Sequence, residues 1–158
     1  MITITLTIDG HTRTLAVPHG ATLLEVLRSS GYTEVKDGCS GGDCGACAVL
    51  LDGRVVNSCF VFAAQADGRT VTTVGDLAVA GELHPLQRSF LDAGAVQCGY
   101  CTPGMLASAS DLLTRNPEPS EPEVRDALAG HLCRCTGFVK PVQAVLLAAD
   151  LLQGGDDG

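Results

Sequence analysis

The chain has 158 residues, 46% hydrophobic and 18% charged, a globular composition that excludes a disordered or low-complexity chain. Ten basic against eighteen acidic residues leave a net charge of −8, which argues against a nucleic-acid partner. No apolar run is long enough to insert across a membrane, and the length suits one ordinary domain or two small ones.

Residues 2–8 and 12–17 alternate polar and β-branched positions on either side of Asp9-Gly10 and read as a hairpin. That alternation is unlike a secretory leader, so a cytoplasmic location is expected. Thr22-Leu23-Leu24-Glu25 reads as a capping box, opening a helix with Leu23, Leu24, Val26 and Leu27 apolar and Gly31 as its stop. Next comes a glycine-rich loop in which Cys39, Cys44 and Cys47 stand as C-x4-C-x2-C, with Cys59 after a further eleven residues. This is the plant-type ferredoxin spacing, in which four thiolates hold a [2Fe–2S] cluster. Cys47–Leu51 and Arg54–Asn57 flank Asp52-Gly53 as a second hairpin, which returns Cys59 to the loop, and Thr70–Thr73 reads as a last strand. A hairpin, helix, loop and hairpin in this order predict a small α+β unit with a β-grasp sheet.

Composition changes at Gly75–Gly81, read as a linker, and helical periodicity replaces β-branched alternation. Four helices are expected. The first spans about 84–93. The second, about 103–115, has Thr102 as N-cap, Pro103 in its first turn, and Met105, Leu106, Ala109, Leu112 and Leu113 on one face. The third opens on Ser120-Glu121-Pro122-Glu123 as a capping box, and the fourth, about 139–152, carries Val142, Val145, Leu146, Ala149 and Leu152. Residues 1–75 and 76–153 are thus expected as two domains, followed by a disordered tail at 154–158. Each half is small enough to need a staple, which a metal centre in each would supply.

The eight cysteines fall into two sets of four with none left over. In the second set, Cys98 and Cys101 are answered by Cys133 and Cys135, each pair followed at once by Thr and the approach to a helix. Two helix N-termini aimed at one centre would offer free N–H groups and positive dipole ends to an anionic cluster. From spacing alone the rival is a structural zinc site with four cysteine ligands. The single residue between Cys133 and Cys135 is a tighter gap than zinc pairs commonly use and favours iron–sulfur. Four disulfides do not suit a cytoplasmic chain.

The Cys39–Cys47 loop with Cys59, the run Gly94–Met105, and Leu132-Cys133-Arg134-Cys135-Thr136-Gly137 together resemble the iron–sulfur small subunit of the molybdenum hydroxylases. That family includes xanthine dehydrogenase, aldehyde oxidoreductase and aerobic carbon monoxide dehydrogenase. The resemblance runs to about residue 152. It implies an N-terminal β-grasp domain and a C-terminal four-helix domain, each with one [2Fe–2S] cluster. It also implies an electron-transfer role, from molybdopterin in a large subunit, through both clusters, to an external acceptor or an FAD-binding medium subunit. By the same resemblance Gln97 and Cys135 contact the edge of the pterin. Phe138 and His131 depart from the family's usual Tyr and Asn, and Val139-Lys140-Pro141 leaves the start of the last helix open. A zinc-stabilised interaction module and a free-standing ferredoxin-like carrier are the alternative functions.

His11, His19, His84 and His131 are not spaced as ligands and read as surface or loop residues, with His84 a helix cap. Tyr100 reads as a cluster shield or a packing residue, and Arg134 as a donor to cluster sulfur or to a partner. No Ser/His/Asp set, phosphate-cradling loop or paired carboxylates are present, so substrate chemistry is expected in another chain.

Overall fold

The computed structural model describes residues 1–154. Two tight turns shape its N-terminal half. Asp9-Gly10 and Asp52-Gly53 all have positive φ, +48° and +73°, then +49° and +78°. This is the turn chemistry whose twist matches antiparallel strands. The first turn joins β1 (Ile2–Ile8) to β2 (His11–Val17), and the second joins β3 (Ala48–Leu51) to β4 (Arg54–Asn57). With β5 (Thr70–Thr72) they form one sheet in the order β2-β1-β5-β3-β4, in which only β1 and β5 run parallel.

Alternation along β1 sends Ile4, Leu6 and Ile8 into the core. On the outer face Thr5 and Thr7 pair with Thr14 and Thr12 through their hydroxyls. Helix α1 (Leu23–Ser29) lays Leu23, Leu24, Val26 and Leu27 on the inner face. Its capping box is complete: the Glu25 amide donates to Thr22 Oγ1 (3.2 Å), and the Thr22 amide donates to Glu25 Oε2 (2.7 Å). Sheet and helix make the β-grasp arrangement, and the cysteine loop emerges between α1 and β3.

The C-terminal half holds four helices: α2 (Pro85–Asp92), α3 (Thr102–Arg115), α4 (Glu121–Leu128) and α5 (Val139–Gly154). Their core gathers Leu86, Phe90, Met105, Leu112, Val124 and Val145. The expected face of α3 is buried throughout, but Leu152 of α5 is 42% exposed. Pro141 sits in the first turn of α5, where its missing N–H costs nothing. Helix α5 runs on through Gly154, the first residue of the expected tail; residues 155–158 lie outside the described residues. Thr102 is the first helical residue of α3 rather than its cap. That place falls to Cys101, whose side chain makes no capping bond. No helix among the described residues is long and apolar enough to cross a membrane.

The halves meet along α3, which packs on β3 and β4. Asp111 of α3, 2% exposed, pairs with Arg54 of β4 at 3.2 Å and with Arg115 at 3.1 Å. The Tyr100 hydroxyl donates to the Asp37 carbonyl (2.5 Å), and the Leu132 amide donates to the Cys44 carbonyl (3.0 Å).

Candidate metal centres

All eight cysteines are free thiols, and the fold brings them together as two quartets. In the first, Cys39, Cys44 and Cys47 come from the glycine-rich loop, and Cys59 comes from a single helical turn (Ser58–Phe60) directly after β4. The loop needs its glycines for space as well as rotation. Gly42 has φ +85°, and a Cβ there would sit 2.6 Å from the Phe60 ring. A Cβ at Gly38 would sit 2.8 Å from Cys44 Sγ. The turn presents amides to sulfur: the N–H groups of Gly41 and Cys44 each lie 3.4 Å from Cys39 Sγ. Those backbone donors hold the Cys39 thiol down to about 7. Burial, together with the neighbouring Cys47, pushes Cys59 up.

In the second quartet Cys98 and Cys101 precede α3, while Cys133 and Cys135 precede α5. Gly137 and Phe138 follow, both left-handed (φ +62° and +66°), and turn the chain into α5. Burial raises Cys133, but the Thr136 hydroxyl (3.1 Å) and amide (3.4 Å) outweigh it and bring the thiol to about 7. Cys101 is pushed up to about 12 by burial and by the adjacent Cys133.

Within each quartet every thiol lies near more than one other: Cys39 near Cys44 and Cys59, Cys47 near Cys44 and Cys59, Cys98 near Cys101 and Cys135, and Cys133 near Cys101 and Cys135. A [2Fe–2S] cluster needs four thiolates within reach of two adjacent irons. Clustered thiols, amides aimed at sulfur and a loop with no room for a Cβ fit an iron–sulfur cluster.

Cys98 and Cys135 are both exposed, Cys39 is exposed beside a half-buried Cys44, and Cys47, Cys59 and Cys101 are buried. Gln97 is exposed too, and its Nε2 donates to the Cys135 carbonyl at 3.1 Å, so the two residues singled out for a pterin contact are joined. His84 caps α2, its Nδ1 accepting from the Leu86 amide at 3.1 Å. His131 does lie on a loop, between α4 and α5, but it is not a surface residue: it is 4% exposed and sits between the halves, with Nε2 2.7 Å from Ser108 Oγ. Burial lowers its basicity. Tyr100 spends its hydroxyl on Asp37 and so ties the second cysteine motif to the first loop. His131, Asp111 and Arg54 escape sequence reasoning because each acts on a chain segment remote in sequence. The strict absence of side chains at Gly45 and Gly104 is the only trace of that contact in the sequence.

The comparisons with known proteins agree with this geometry. Residues 6–77 match the family model described as a 2Fe-2S iron-sulfur cluster binding domain, and residues 71–146 match a second, described as a [2Fe-2S] binding domain. The chain is 47% identical over 150 residues to the nicotinate dehydrogenase small FeS subunit of Eubacterium barkeri, covering 94% of this chain and 96% of that one. It is 43% identical over 147 residues to the xanthine dehydrogenase iron-sulfur-binding subunit of Escherichia coli O157:H7, covering 92% of each. Among solved structures it superposes on a chain of quinoline 2-oxidoreductase from Pseudomonas putida 86 with a TM-score of 0.92 and 40% identity, covering 98% of each. It also matches 18% of the longer aldehyde oxidoreductase chain of Desulfovibrio desulfuricans, with a TM-score of 0.93 and 44% identity. With both family models matched, the fold superposed and near-complete coverage, the chain belongs to the [2Fe–2S] iron–sulfur small subunits of the molybdenum hydroxylases.

Proposed function

We propose that this chain is the electron relay of a molybdenum hydroxylase complex, with residues 1–75 as its outer station and residues 76–153 facing the chemistry. The observation that carries the orientation is the exposed Cys98–Cys135 pair with Gln97 bonded to the Cys135 carbonyl at 3.1 Å. A buried pair could not approach a cofactor held by another chain. When bound, two [2Fe–2S] clusters supply one-electron carriers between the molybdopterin of a large subunit and an FAD-binding subunit or external acceptor.

The chain's own residues give that relay its form. Cys39, Cys44, Cys47 and Cys59 hold the outer cluster, and Cys98, Cys101, Cys133 and Cys135 the inner one. Gln97 orients the Cys135 backbone and presents its amide to the pterin edge. At the other end, Phe60 (73% exposed) and Phe62 (54% exposed) stand beside Cys59 and offer an apolar landing for the acceptor. Cytoplasmic residence suits eight thiols kept reduced for metal.

Replacing Gln97 with Ala tests the orientation. Both cluster signals in electron paramagnetic resonance should persist while turnover of the assembled complex falls by about tenfold or more, the scale of a lost polar contact at a redox interface. Undiminished turnover would refute the pterin-facing role. Copurification of the native chain with a large molybdopterin protein separates the relay from a free-standing carrier.

A further inference from the structure

One side chain touches all three segments that carry cluster ligands across the domain boundary. His131 stands two residues before Cys133, and its ring is lodged between the first cysteine loop and α3. Its Nε2 meets Ser108 Oγ of α3 at 2.7 Å. Its Nδ1 is buried against the backbones of two glycines. A Cβ at Gly104, three residues past Cys101, would collide with the Gly45 carbonyl and sit 3.1 Å from Nδ1, and one at Gly45, between Cys44 and Cys47, would collide with Nδ1 itself. The next amide, Leu132 N–H, donates to the carbonyl of Cys44 itself at 3.0 Å.

The ring fills a space from which both facing residues have withdrawn their side chains. The Gly45 carbonyl already meets α3 at Gly104, and the ring beside that contact keeps the rest of the loop from closing further onto the helix. Imidazole is suited to this task, because it is flat, has few rotamers to lose, and keeps one nitrogen for the buried Ser108 hydroxyl.

We propose that His131 is a positioning residue whose imidazole acts as the spacer setting the separation and relative orientation of the two cysteine quartets. The proposal rests on the reading of both quartets as cluster sites. It concerns electron passage between them, not the assembly of either.

The test uses the purified complex, fully reduced, with electron paramagnetic resonance at low temperature to read the magnetic splitting between the two clusters. The unmodified protein must first show two distinct cluster signals. If it shows only one, the two-cluster reading itself fails, and the spacer role with it. Given both signals, His131→Ala should retain them but broaden the splitting and speed electron redistribution between clusters several-fold. His131→Gln, which restores a nitrogen toward Ser108, should recover the narrow splitting. Gly104→Ala should reduce the splitting, because its Cβ forces the Gly45 backbone and the ring away. Unchanged splitting in both His131→Ala and Gly104→Ala, with both clusters present, overturns the spacer role. Should His131→Ala not assemble, Ser108→Ala and Gly104→Ala decide by the same criterion.

Discussion

Gly42 and Gly53 both sit at positive φ, +85° and +78°, yet the two positions place different demands on the chain. Gly53 closes a hairpin with nothing within 4 Å of where a Cβ would stand. Gly53→Ala therefore costs only the left-handed conformation, about 1–2 kcal/mol. Its melting temperature should fall by roughly 2–8 °C, at about 2–4 °C per kcal/mol for a chain of this size, with cluster content unchanged. Gly42 carries the same conformational cost, and in addition its Cβ would lie 2.6 Å from the Phe60 ring beside Cys59. Gly42→Ala should displace Phe60 and Cys59 and strip the plant-type cluster selectively; iron analysis with electron paramagnetic resonance checks it. Cys44→Ser should have the same selectivity, removing the plant-type signal and leaving the helical-domain signal. The eight candidate ligands were legible in sequence because their spacing is local and chemically specific. The role of His131 was not, since nothing near it in the chain predicts Gly45 or Gly104 as neighbours.

Secondary-structure elements follow their local signals closely. The Asp-Gly turns, the Thr22 box, the His84 cap and the apolar face of α3 all lie where short-range chemistry places them. The exception sits at a proposed cluster site: Cys101 takes the cap position of α3 although its side chain makes no capping bond. A thiol reserved for the proposed cluster leaves the cap to the backbone alone. Helix α4 offers a test of capping by pH. The Ser120 hydroxyl and amide donate to Glu123 Oε2 at 2.6 and 2.7 Å and hold its carboxyl below the ordinary 4.5. A carboxyl whose folded value is depressed stabilises above its unfolded value, and that contribution is lost as pH falls through the folded one. Amide protection of α4 should therefore decline below about pH 4.5 in the native chain, whereas Glu123→Gln should flatten that dependence. An unaltered acid limb in the variant would show that the cap contributes nothing.

At the scale of the molecule, function depends on holding two small domains in one arrangement. Asp111 is the electrostatic centre of that junction, buried on α3 and bridging Arg54 from the sheet domain and Arg115 from its own helix. Asp111→Ala should destabilise the chain by about 1.5–3 kcal/mol, the range for hydrogen bonds to charged groups. Arg54→Ala, whose side chain is 67% exposed, should cost under about 1 kcal/mol. Thermal or denaturant unfolding of the holo-protein measures both, and equal losses would mean the bridge is not anchored from the buried side.

The two quartets, the α+β and helical halves, and the family resemblance are all legible in the order of residues, because each rests on spacing, periodicity or turn chemistry within a few tens of residues. How the quartets face one another, which thiols lie near which, and that Cys98 and Cys135 are both turned outward emerge from long-range packing. Those relations depend on contacts such as Tyr100 with Asp37, Leu132 with Cys44 and Arg54 with Asp111. Each joins residues far apart in the chain, and no local preference encodes them. They appear only when both halves bury their faces against α3.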